Sequence, residues 1–111
     1  MAKPELEFHA PTAEWRTTAP GQAERILAAD PDAGTVTRLL RFEAGCDTVA
    51  SGTLVHDYWE EIYLVEGDLT DLRLDQRFEA GHFACRPPGM EHGPWRSDSG
   101  ALLFEVRYFA R

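Results

Sequence analysis

The strongest constraint on this chain is a missing pattern. No segment of about ten residues or more carries an apolar stripe at helical spacing. Apolar positions alternate instead in short runs, broken by Gly, Pro and Asp at intervals of roughly 8–12 residues, which builds an all-β sandwich or barrel. With 111 residues there is room for one domain and one core. An apolar fraction of 43% beside a charged fraction of 27% is ordinary globular composition.

Residues 1–23 hold three of the seven prolines, with Leu6, Phe8 and Trp15 isolated in polar surroundings. They read as an extended N-terminal arm with room for one short edge strand, its aromatics docking on the barrel or on a partner subunit. The barrel itself is expected over 24–111. Asp30-Pro31-Asp32-Ala33-Gly34 combines three turn-forming side chains between two strand-like runs, so a hairpin is expected there. A short helix over Ala23–Ala29 is the rival reading. In the second run Val36, Arg38, Leu40 and Phe42 share a face at period two. An inward Arg38 needs a carboxylate or a ligand; otherwise a bulge turns it to solvent. The last strand, Ala101–Phe109, places Leu102, Phe104, Val106 and Tyr108 on the expected core face, with Leu103, Glu105, Arg107 and Phe109 on the other.

The centre of the chain is His56-Asp57-Tyr58-Trp59-Glu60-Glu61-Ile62-Tyr63-Leu64-Val65-Glu66-Gly67. It is echoed by Gly81-His82-Phe83-Ala84-Cys85-Arg86-Pro87-Pro88-Gly89-Met90-Glu91-His92. Placed on neighbouring strands of one barrel, His56, Glu60 and His92 converge on one point. Two imidazoles and one carboxylate form a transition-metal site with open positions, like the facial triad of non-haem iron oxygenases. Glu60 shares its side with Ile62 and Leu64, where an unpaired carboxylate is costly, so a metal or a basic partner is expected.

The spacing His56, three residues, Glu60, six residues, Gly67 resembles the later part of the first cupin motif. Gly81, five residues, Pro87, one residue, Gly89, two residues, His92 resembles the second motif position for position. The resemblance spans most of residues 35–109. It implies a jelly-roll β-barrel and, within the superfamily, lies nearest to small single-domain cupins. These include cupin-like domains attached to anti-sigma factors and small dioxygenases acting on diketones or hydroxyacetophenones. Carried over residue by residue, the metal ligands are His56, Glu60 and His92. The first His of the usual His-x-His pair falls at Leu54, and the asparagine that often closes the second motif falls at Arg96. The set is therefore three ligands where many cupins have four, which suits either open catalytic positions or a weakened site.

Leu54 then stands as an apolar wall beside the ligands. Tyr58, Trp59 and Trp95 flank them as barrel wall or as pocket lining for a substrate. Arg38, Arg86 and Arg96 can supply a cation for a substrate oxygen anion, or snorkel outward. His82 and Glu91 could complete the ligand set, although alternation points His82 outward. Cys85 alternates with Phe83 and reads as a small buried side chain; reduced thiols are expected at both Cys46 and Cys85.

A net charge of −8 opposes a nucleic-acid partner and docking on an anionic membrane. The N-terminal residues lack the apolar core of a signal peptide, so a cytoplasmic location is expected. The expected cofactor is a divalent transition metal, Fe(II) first, with Zn, Mn or Ni as alternatives. The expected activity is a dioxygenase-type reaction on a small oxygenated organic molecule, with isomerase and hydrolase chemistry close behind. A non-catalytic ligand or metal sensor and a barrel that has lost its metal are the alternatives. Outward Tyr63 and Val65, with Leu103, Phe109 and the arm, point to a homodimer.

Overall fold

A computed structural model of the chain describes residues 3–109. Within them eight strands form, all antiparallel: β1 (Arg16–Ala19), β2 (Gln22–Asp30), β3 (Thr35–Phe42), β4 (Trp59–Asp71), β5 (Gln76–Glu79), β6 (Phe83–Arg86), β7 (Trp95–Arg96) and β8 (Ala101–Tyr108). The only helical piece among the described residues is the short 3-10 turn Val49–Ser51. The long β4 links two sheets. Its first half pairs with β8 and β6 in a sheet that continues through β3, β2 and β1. Its second half pairs with β5 and β7. The two sheets face one another as the expected jelly-roll barrel.

The Asp-Pro-Asp-x-Gly turn forms as its chemistry dictates: Asp30 Oδ1 accepts the N–H groups of Asp32 and Ala33, and Gly34 donates to the Asp30 carbonyl. The run Ala23–Ala29 lies inside β2 and is strand, not helix. Gly67 lies inside a strand. β4 runs through it and changes sheets there, pairing with Ala101 up to Gly67 and with β5 from Asp68 onward. Glycine is required because the carbonyl oxygen of Gly100 lies 1.8 Å from where a Cβ would sit, at φ +83°. Beside it, buried Asp68 accepts hydrogen bonds from the N–H groups of Asp98 and Ser99 and from the hydroxyls of Ser97 and Ser99. These fasten the β7–β8 turn to β4.

The interior has two halves. Leu64, Leu69, Ala101 and Leu103 form the buried apolar cluster, with Leu40, Phe42, Ile62, Phe78 and Trp95 packed against it. The other half is charged. Strand register sets Arg86 opposite Glu60, Glu60 opposite Arg107, and Arg38 opposite Glu105. Arg38 is therefore inward. Its Nε donates to Glu105 at 2.7 Å and its Nη1 to Glu24 at 2.8 Å.

This charged half corrects two face assignments. On β8 the core face is Ala101, Leu103, Glu105 and Arg107, while Phe104 on the expected core face is 37% exposed. Counting apolar side chains picks the wrong face when the interior itself carries ion pairs. On β6 the inward residues are Ala84 and Arg86, and both Phe83 and Cys85 are exposed. Both cysteines are free thiols. In the arm, the Trp15 ring meets the guanidinium groups of Arg41 (4.3 Å to the centroid) and Arg25 (5.9 Å). Arg25 also donates to the Pro11 and Ala13 carbonyls, tying the arm down at this point, whereas Phe8 remains fully exposed.

Candidate metal centre

Backbone pairing brings the two sequence motifs together. The N–H of Gly89, in the Pro-Pro-Gly turn, donates to the His56 carbonyl at 2.9 Å. Leu54 and His92 form a two-bond antiparallel bridge, N–H to carbonyl at 2.7 and 3.0 Å. Neither His56 nor His92 lies within a strand; each sits on a loop pinned to the other. Glu60 is the second residue of β4 and points inward, 4% exposed.

The imidazole rings of His56 and His92 lie 4.8 Å apart. One ligand atom from each of His56, Glu60 and His92 lies within 4.8 Å of the others. Glu60 divides its oxygens between two duties: Oε1 accepts a hydrogen bond from Arg86, and Oε2 faces His56 Nε2 at 4.0 Å. His92 Nδ1 is 3.3 Å from the Met90 carbonyl, and donation there leaves Nε2 free. The imidazole of His56 is held by stacking on Tyr58, 4.6 Å between centroids. Two nitrogens and one carboxylate oxygen at this spacing are a donor set that a divalent transition metal accepts, so the residues present fit such an ion.

The electrostatics suit the same purpose. Burial, then the nearby Arg86 cation, pushes the His92 imidazole down to about 4. His56 is lowered too, by burial and then by Arg107. Both rings are thus neutral and ready to ligate at pH 7. Glu60 is raised to about 7, by burial first and then by the charge of Glu105, against the pull of Arg86. For Glu105 burial pushes upward, but hydrogen bonds and charge from Arg38, with the charge of Arg107, outweigh it and hold the carboxyl below its ordinary range. The buried carboxylates are therefore unequal, with Glu105 fully ionised and Glu60 poised near neutrality.

These three side chains open onto a cavity of about 270 Å³ whose wall includes Arg38, Leu54, His56, Glu60, His92 and Trp95. Leu54 stands at this wall, as expected from its place two residues before His56. Substituting Leu54→His adds an imidazole to the same wall. Tighter retention of metal against a chelator is the expected result, and unchanged retention in a folded protein places the Leu54 side chain out of bonding reach. Tyr58 touches the site through His56. Trp59 does not line the cavity; it stacks on Tyr108, 6.5 Å between centroids. Arg96 is exposed and paired with Asp98, also off the cavity wall. His82 is exposed and hydrogen-bonded to the backbone of Glu79, outside the ligand group. Sequence reasoning missed Glu105 and Arg107, which line the cavity; of the two readings it left open for Arg86, a cation at the site or an outward side chain, the structure shows the first position, on the cavity wall. The available signal was Arg38: an inward cation on β3 demanded a carboxylate opposite it on β8.

Residues 4–108 match the sequence profile of the ChrR cupin-like domain family. No curated protein sequence is a match. Among solved structures, an RmlC-like cupin from Shewanella frigidimarina superposes with a TM-score of 0.78 at 19% identity, over 100% of this chain and 96% of that one. An acetylacetone dioxygenase from Acinetobacter johnsonii gives 0.73 at 13% identity, over 95% and 76%. The Rhodobacter sphaeroides complex of SigE with the anti-sigma ChrR gives 0.66 at 21% identity, over 85% of this chain and 49% of that one. At these identities the structures establish a shared fold.

Proposed function

The chain belongs to the family of ChrR cupin-like domains, and on that premise we propose that it is a metal-dependent cupin acting on a small oxygenated organic molecule. The observation that carries this reading is the convergence of His56, Glu60 and His92 on the wall of one cavity. Fe(II) is the first choice of ion, with Zn, Mn or Ni as alternatives, and a dioxygenase-type reaction is the first choice of chemistry. When bound, such an ion supplies Lewis acidity or a place for O₂. The chain's own part is to hold Glu60 through Arg86, to keep both imidazoles neutral, and to offer Arg38 and Arg107 to a substrate oxygen anion. Leu54 and Trp95 exclude water from the same wall. Oxygen uptake with Fe(II) across a panel of small diketones tests this, and uptake must vanish in His92→Ala.

A non-catalytic sensor of a metal or small ligand is the second reading, supported by similarity to the anti-sigma ChrR. Metal retention that changes with a bound ligand, with no turnover of any panel member, favours it. The cytoplasm is the proposed location. The free thiols agree with it, and among the described residues no helix is long and apolar enough to cross a membrane.

Acidification should weaken metal binding, and the responsible group is the carboxylate. Glu60 must ionise to ligate, so affinity should fall about tenfold per pH unit below about 7 and level off above it. His92 adds its own proton competition only near pH 4. The apo protein's stability is a poor reporter here. Raised Glu60 makes it decrease with rising pH between 4.5 and about 7, and lowered His92 makes it increase between about 4 and 6.5. A direct metal titration between pH 5 and 8 checks the slope; a flat profile removes Glu60 from the ligand set.

We also propose a homodimer through the outer face of β6, β4 and β8. Phe83 and Phe104 flank Tyr63 as cross-strand partners, and all three, with Val65, are exposed. Leu103, expected to join this surface, is buried and does not. A continuous aromatic patch of this kind is covered most simply by its own symmetry mate. Light scattering should give twice the chain mass, shifting to the chain mass in Tyr63→Glu; a monomeric wild type refutes the dimer.

A further inference from the structure

A second chamber, of about 190 Å³, lies against the metal centre. It shares six wall residues with the first: Ile62, Leu69, Arg86, His92, Trp95 and Leu103. The partition between them is therefore one layer of side chains. Its principal element is Arg86, which bonds Glu60 and lies over the Trp95 ring at 5.2 Å. Beyond the partition the surface is mostly apolar, from Leu64, Leu74, Phe78, Ala84 and Met90, with Asp71, Arg73, His82 and Glu91 as its ionisable residues and Phe83 only at its outer rim. Among the described residues β6 pairs with β4 alone, leaving its other edge open beside this space, and its inward residue opposite Ile62 is the small Ala84. At the mouth, Arg73 donates to the Glu91 carbonyl at 3.2 Å, tying the β4–β5 turn to the loop that carries His92. Leu74 and Met90 remain about half exposed there.

We propose that this chamber holds the apolar arm of the ligand whose oxygens face His56, Glu60 and His92. The ligand class is amphipathic: an anionic oxygen head joined to a short aliphatic chain or single aromatic ring. Arg86 and His92 border both spaces, so the head finds its cation and donor set where the arm begins. The volume admits about six groups the size of a water, whose share of liquid volume is ~30 Å³. The oxygenated head rests on the metal-site reading above, whereas the arm's site does not.

Straight-chain carboxylates from acetate to decanoate, titrated calorimetrically into the full chain with and without Zn(II), test the proposal. The dissociation constant should fall about fourfold per added methylene, the equivalent of ~0.8 kcal/mol, and level off near hexanoate or heptanoate. Ala84→Phe, which fills the chamber, should bind acetate as the wild type does and gain nothing from longer acids. Phe78→Ala should move the plateau to longer acids, and it decides the matter if Ala84→Phe does not fold. Equal slopes with and without Zn(II), and no zinc binding, leave the chamber standing and remove the metal. Zinc binding with a flat series leaves the metal standing and overturns the chamber. A rise through decanoate that neither substitution alters means binding to an open surface and also overturns it.

Discussion

Arg38→Met should destabilise the protein by about 3–5 kcal/mol, the usual cost of removing one partner from a buried ion pair. The reason lies in what remains. Glu105 is 1% exposed and Glu24 6% exposed, and Arg38 binds both. Without it, two carboxylates stay inside the barrel, and only Arg107 still reaches Glu105, at 2.9 Å. Arg16 still reaches Glu24 but is itself mostly exposed, so its screening by water makes it a weak substitute. For a chain of this size the loss lowers the melting temperature by roughly 15 °C or more. Glu105→Gln in the Arg38→Met background should recover part of it, because a neutral amide in the same place is cheaper to bury than an unpaired charge. A loss under about 1 kcal/mol shows that water reaches both carboxylates and that the charged half of the interior is not dry.

Metal affinity should respond to substitutions in a fixed order. His92→Ala removes a ligand atom and should weaken binding by more than the ~10–100-fold that loss of an outer partner costs. Arg86→Met removes no ligand; it releases Glu60 Oε1 and the orientation of that carboxylate, and should fall within ~10–100-fold. Asp57→Ala, next to His56 in sequence but with an exposed side chain, should change nothing. A competitive titration against a chromophoric chelator measures all three. If Arg86→Met weakens binding more than His92→Ala does, the ion sits at Glu60 without His92.

Much of this was legible from residue spacing. Alternation and turn chemistry identified the β2–β3 hairpin, because Asp30 needs only its own local backbone to form that turn. The two motifs singled out His56, Glu60 and His92, which the structure gathers within 4.8 Å, although it delivers His56 and His92 from loops rather than strands. Their union depends on the Leu54–His92 bridge and the Gly89–His56 hydrogen bond, pairings that no local pattern encodes. The reversed face of β8 was illegible for a physical reason. Leu102, Phe104, Val106 and Tyr108 look more apolar than Leu103, Glu105 and Arg107, and it is Arg38 on β3, bonded to Glu105, that gives the second set its inner partner. In the same way the reading of Arg86 stays open until its strand is set opposite Glu60.

The most direct test is the metal content of the protein purified without chelator, followed by titration of the stripped protein with Fe(II), Zn(II), Mn(II) and Ni(II). The expected result is about one ion per chain in the wild type and almost none in His56→Ala and His92→Ala, both still folded. A wild type that arrives empty and takes up none of the four ions contradicts the metal centre and leaves His56, Glu60 and His92 as wall residues of a ligand-binding barrel.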